Sequence, residues 1–68
     1  MAQPLIGTIV LYKKESNEPG PEIQPAIITK VVGGFTVHLT AFNEWGTIIK
    51  INVEFDGDRS LENSWGWL

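Results

Sequence analysis

Residues 25–42 read Pro25-Ala26-Ile27-Ile28-Thr29-Lys30-Val31-Val32-Gly33-Gly34-Phe35-Thr36-Val37-His38-Leu39-Thr40-Ala41-Phe42. Two apolar runs flank a pair of glycines. In the second run Phe35, Val37, Leu39 and Ala41 alternate with Thr36, His38 and Thr40, the period expected of a strand with one buried face. Val37 and Leu39 are therefore assigned to a core, and His38 to the outside. In the first run Ala26, Ile28, Lys30 and Val32 share one face, and Ile27, Thr29 and Val31 share the other. Pro25 suits the start of a strand, where no ladder donor is needed. Gly33-Gly34 predicts a two-residue hairpin, since both glycines tolerate positive φ.

The pattern extends in both directions. A β-branched and aromatic run from Ile6 to Lys13 predicts a first strand. Residues 14–24 hold Asn17, Pro19, Gly20 and Pro21, turn chemistry that predicts a long irregular loop. After Phe42, Asn43-Glu44-Trp45-Gly46 predicts a tight turn. Thr47 to Phe55 reads as a fourth strand, with Ile49, Ile51, Val53 and Phe55 on one face and Ile48, Lys50, Asn52 and Glu54 on the other. Asp56-Gly57-Asp58-Arg59-Ser60 is again a turn. Leu61 to Asn63 has room for one 3₁₀ turn, and Ser64 to Trp67 for a short last strand. No window of about eleven residues has a helical period. The predicted core is Val10, Ile28, Val37, Leu39, Ile51 and Val53, with Phe42, Phe55 and Trp65 as candidates to pack on it.

Five short strands are too few for a generous sandwich, but they can curl into a barrel that hides its edges. The order of connections (long loop, tight hairpin, short turn, longer turn, short final strand) resembles an SH3-like barrel. On that likeness residues 14–24 take the place of the RT loop and residues 61–63 that of the 3₁₀ turn. An OB-fold would need a helix where only about four residues are present. The whole chain, 1–68, is expected to form one domain, with residues 1–5 and 14–24 irregular. A narrower likeness rests on Gly7 to Tyr12, Pro25 to Val31, Val37 to Phe42 and Ser64-Trp65-Gly66-Trp67. These segments resemble short proteins of phage genomes and marine metagenomes that have no established activity. The resemblance implies a phage-encoded protein placed in the host cytoplasm or the virion. The motif departs from signalling SH3 domains in following Tyr12 with Lys13-Lys14 in place of an acidic-aromatic pair.

Composition narrows the function. With 68 residues, 43% of them hydrophobic and 19% charged, the chain has the makings of a folded domain with a thin stability margin. The absence of cysteine removes disulfides, thiolate nucleophiles and cysteine metal sites. Eight acids against five bases give a net charge of −3, and the bases are scattered, which argues against a nucleic-acid face. A nucleic-acid-associated SH3-like barrel is the alternative that this charge disfavours. No apolar run reaches the ~20 residues of a membrane span, and no basic patch suggests a membrane surface. No signal peptide is apparent at the start.

Chemistry is weakly represented. His38 has no evident nucleophile or ligand set to work with. Asp56-Gly57-Asp58 fails as a calcium loop because its twelfth position is Trp67. Gly33-Gly34 lacks the spacing and following helix of a phosphate loop. Neither an enzyme, a metal nor a cofactor is expected. The aromatic residues are more informative, because exposed tryptophan on a small domain marks contact surfaces. We expect Tyr12, Trp45 and Pro25 to line a shallow groove between the long loop and the Asn43–Gly46 turn. Glu15, Glu18 and Glu22 would form its acidic rim, and Trp67, on the last strand, would stay partly exposed as a further contact residue. Such a groove suits an extended peptide or protein, or a methylated cation. Self-association through Ile27, Ile48, Trp67 and Leu68 is the other expected mode.

Overall fold

A computed structural model describes residues 3–58 and 60–68. Met1, Ala2 and Arg59 lie outside this range, so the expected irregular start and the turn at 56–60 are described only through their other residues. Five strands form: β1 (Ile9–Lys13), β2 (Ile23–Gly33), β3 (Thr36–Asn43), β4 (Gly46–Phe55) and β5 (Ser64–Gly66). They close into a barrel in the order β1-β2-β3-β4-β5. Neighbours are antiparallel except β4 and β5, which run parallel, while β5 pairs antiparallel with β1 to complete the ring. The protein is a small SH3-like barrel, and the long loop 14–22 occupies the RT position.

The core is Val10, Tyr12, Ala26, Ile28, Val37, Leu39, Ala41, Val53 and Trp65, all fully buried. Alternation along β1 and β3 accounts for most of it. Val10 and Tyr12 point inward from β1, and Val37, Leu39 and Ala41 from β3. Val31, Phe35 and Trp67 pack against this set.

Register shifts change the faces expected for β2 and β4, two of them between β2 and β3 (the second between Val31 and Gly33) and one between β3 and β4. On β2 the register shifts between Ile28 and Lys30, an extra residue that turns Lys30 away from the core and Val31 toward it. On β4 Val53 pairs with Val37 but Lys50 pairs with Leu39, so β4 spends three residues where β3 spends two. Asn52 sits in this bulge at φ 52°, a left-handed conformation that asparagine tolerates better than most residues. The phase of β4 therefore reverses. Ile48 and Lys50 turn inward with Val53, while Ile49 and Ile51 turn outward at 75% and 61% exposure. Ile51 is thus not a core residue.

The turns also differ in detail. Gly33 ends β2 and pairs with Thr36, so the first hairpin turns on Gly34-Phe35, and Gly34 alone of the two glycines has positive φ. The second hairpin turns on Glu44-Trp45, held by the Asn43 Oδ1 acceptor and the Trp45 N–H at 2.8 Å. Residues 61–63 form bends in place of the expected 3₁₀ turn. Their bend is fixed by Asp56, whose carboxylate accepts the N–H groups of Asp58, Ser60 and Leu61.

Candidate functional site

The long loop is latched onto the barrel by a polar network. Tyr12 is buried, and its hydroxyl donates to Glu18 Oε1 at 2.8 Å. The other Glu18 oxygen accepts from Lys50 Nζ at 2.6 Å, and Lys50 also reaches Glu15 Oε2 at 2.8 Å. The Glu15 N–H donates to Glu18 as well. The inward turn of Lys50 at the β4 bulge is what makes this latch geometrically available. Burial pulls the Glu18 carboxyl upward, but the bonds from Lys50, the Glu15 amide and Tyr12 outweigh it and hold the group below the usual carboxylate range. For Lys50, burial works downward, and the Glu15 and Glu18 carboxylates overcome it to raise the ammonium. Burial and the bond to Glu18 push the Tyr12 hydroxyl far above the ordinary tyrosine range.

A second clamp holds the proline-containing part of the loop. Fully buried Gln24 donates from Nε2 to the Pro19 and Pro21 carbonyls at 3.0 and 3.1 Å. Gly20, at φ +98°, lies so near the second hairpin that a Cβ there would stand 3.0 Å from Asn43 Cβ. Only glycine permits that approach. The loop therefore rests on Asn43, where the sequence places the wall of a groove.

This arrangement changes the expected site. Tyr12 cannot line a groove, because parity with Val10 buries it in the core. Glu18 faces inward to Tyr12 and Lys50, Glu15 is tied to the same lysine, and Glu22 pairs with Lys13. The acidic rim is thus occupied by the protein's own lysines. Pro25 and Trp45 are exposed, Trp45 at 67% on the hairpin tip. Trp67 lies elsewhere, in a cluster with Phe35, Phe55 and Trp65 whose ring centroids are 4.9–6.5 Å apart. Trp65 anchors that cluster by donating its indole N–H to the Phe35 carbonyl at 2.8 Å.

Pro25 belongs to a surface that the sequence reading did not assemble. Register places Ile9 beside Ile27, Ile27 beside Thr40, and Thr40 beside Ile49, one row across four strands on the outer face. The same registers place Leu11 beside Pro25 and Phe42 beside Thr47, and continuing the β2–β3 register one residue past Ala26 and Ala41 aligns these pairs as a second row. Ile51 continues the face along β4. These rows contain no charged side chain. Ile9, Ile49 and Ile51 are each more than half exposed, and Phe42 is 37% exposed. Trp45 stands on the tip of the hairpin that carries the second row. The phase reversal at Asn52 created this face, so unbroken alternation in β4 hid it; an asparagine inside a β-rich run was the available signal.

His38 lies on the outer side, opposite Lys30. A shallow open pocket of about 250 Å³ is lined by residues that include Asn52, Glu54, Phe55 and Glu62. Among the described residues no group of three His, Cys, Asp or Glu side chains converges as metal ligands, and no helix is long and apolar enough to cross a membrane. Comparison of the chain with protein families, curated proteins and solved structures finds no match.

Proposed function

We propose that this barrel is a non-enzymatic protein-interaction or assembly module, phage-encoded as its sequence resemblance implies. Its contact surface is the outer face of β1–β4. The carrying observation is the apolar surface formed by the uncharged rows of Ile9, Leu11, Pro25, Ile27, Phe42 and Ile49, with exposed Ile51 beside them, on so small a protein. Contiguous exposed apolar surface of this kind marks protein contact, whereas isolated exposed leucines or isoleucines do not. The basic residues support binding of protein over nucleic acid. Lys13 and Lys50 are held by glutamates and Lys14 is buried, which leaves Lys30 as the exposed lysine among the described residues. Phosphate neutralisation needs several such charges together.

The test separates contact from folding. If the outer isoleucines serve binding, Ile49→Lys leaves the unfolding free energy within about 0.5 kcal/mol of the parent. It also abolishes the fluorescence enhancement of an anilinonaphthalene dye on the folded protein. Loss of more than about 2 kcal/mol would place Ile49 in the structural core of the fold and overturn the reading. Unchanged dye binding would do the same.

A further inference from the structure

We propose that the occupant of the outer β1–β4 face is a second copy of this chain, forming a two-fold symmetric dimer. This rests on the reading of that face as the contact surface. Three features select the second copy.

Charge is the first. The protein carries −3 overall, so two copies repel at long range and need an approach that brings no like charges together. The rows Ile9-Ile27-Thr40-Ile49 and Leu11-Pro25-Phe42-Thr47 supply one. The nearby acids Glu15, Glu18 and Glu22 are tied back by Lys13 and Lys50, which leaves one net negative charge in that cluster.

Symmetry is the second. An isologous interface must be complementary to itself. The first row has an isoleucine at each end, Ile9 and Ile49, around the central pair Ile27 and Thr40. A two-fold axis through Ile27 and Thr40 lays Ile49 of one copy over Ile9 of the other. The two sheet faces then pack about 10 Å apart, as sheets in sandwiches do.

Area and edge protection form the third. Four strands about 4.8 Å apart, each with some three outward residues at about 6.7 Å, give a footprint roughly 20 Å on a side. That covers one side of a domain measuring 31 × 21 × 19 Å. Two such footprints bury roughly 800 Å², below the size of stable specific interfaces and in the range of weak, transient ones, so the dimer is expected to be reversible. Pairing through residues 46–53 of β4, which β5 does not cover, is the competing geometry. It is blunted by the bulge at Asn52 and the inward Lys50, both devices that discourage edge-to-edge addition.

The experiment is sedimentation equilibrium on the full chain across micromolar to millimolar concentrations, with cysteine pairing as a second measurement. The chain has no cysteine of its own, so an introduced thiol reports only its own position. The expected results are a reversible dimer, at least 100-fold weakened by Ile49→Lys in a protein that keeps its circular dichroism. Thr40→Cys, near the axis, is expected to be joined into a covalent dimer by a short bismaleimide cross-linker, which spans the roughly 10 Å between facing sheets that a disulfide cannot. With the same cross-linker, Ile9→Cys is expected to link to an Ile49→Cys chain in preference to itself. A parent that stays monomeric to 1 mM, with Ile49→Lys folded and unable to bind dye, overturns the second copy and leaves the face assigned to a different protein. A dimer that Ile49→Lys does not weaken overturns both readings. Should Ile49→Lys fail to fold, the face assignment falls, and the cysteine pairing pattern still decides the dimer.

Discussion

Strands β3 and β4 lie side by side and treat their faces in opposite ways. On β3 the apolar residues Val37, Leu39 and Ala41 point inward, and His38 and Thr40 point out. On β4 a lysine points inward while Ile49 and Ile51 face solvent. One extra residue at Asn52 separates the two cases. The bulge supplies an inward cation for a loop rich in glutamate, and it presents two isoleucines to the outside. Fold stability and surface character are thus set by the same irregularity.

The sharpest way to break the contrast is to remove the inward charge. Lys50→Ala leaves Glu18 facing a tyrosine hydroxyl with no cation. Removing one partner of a largely buried ion pair costs about 3 kcal/mol, and the side chains of Lys50 and Glu18 are only 16% and 13% exposed. Urea unfolding followed by tryptophan fluorescence measures this directly. A loss below about 1 kcal/mol would mean that the latch is solvated and that the loop owes its position to Gln24.

A smaller effect compares the two faces of β4 by the same kind of truncation. Val53→Ala removes two methyl groups from a fully buried site, and we expect a loss of about 2 kcal/mol including the cavity. Ile51→Ala deletes more carbon but from a site 61% exposed, and the expected change in the monomer is under about 0.5 kcal/mol. The measurement belongs at low chain concentration, where association does not contribute. Equal losses would show that Ile51 is packed and that the phase reversal is absent in solution.

These contrasts also show what the sequence could carry. β3 is legible because its alternation is unbroken, and the closed barrel follows from strand count and connection lengths. Tyr12 was legible in principle: it shares the parity of buried Val10, and its polar tip finds its short bond because Glu18 folds back across six residues, with Asn63 Oδ1 at 3.4 Å beyond it. The fate of Glu15, Glu18 and Glu22 was not legible, since their charges suggest a solvated rim until Lys50 is known to face inward. That depends on a bulge, and a bulge is a matter of pairing between strands. A single extra residue exchanges every side chain beyond it between the two faces, so a correct list of strands still assigned Ile51 to the core and missed the outer surface.

The pH dependence of the latch isolates its charge with the smallest perturbation. Glu18 has its folded pKa held below the ordinary carboxylate value of about 4.3. Its contribution to stability is therefore complete above that value and is lost as pH falls through the folded value. Lys50 has its folded pKa raised. Its contribution is complete below the unfolded lysine value of about 10.4 and is lost as pH rises through the folded one. Together they give a plateau from about pH 5 to about pH 10. Glu22 and Asp56 are also depressed, so acid destabilisation of the parent alone does not identify the latch. The difference between parent and Lys50→Ala does, because both chains share those groups. That difference should be constant from pH 5 to 8 and shrink toward pH 3, as Glu18 is protonated and Lys50 loses its partner. A difference that stays level down to pH 3 would show that Lys50 stabilises the barrel by the packing of its methylene stem, with Glu18 and Glu15 as bystanders.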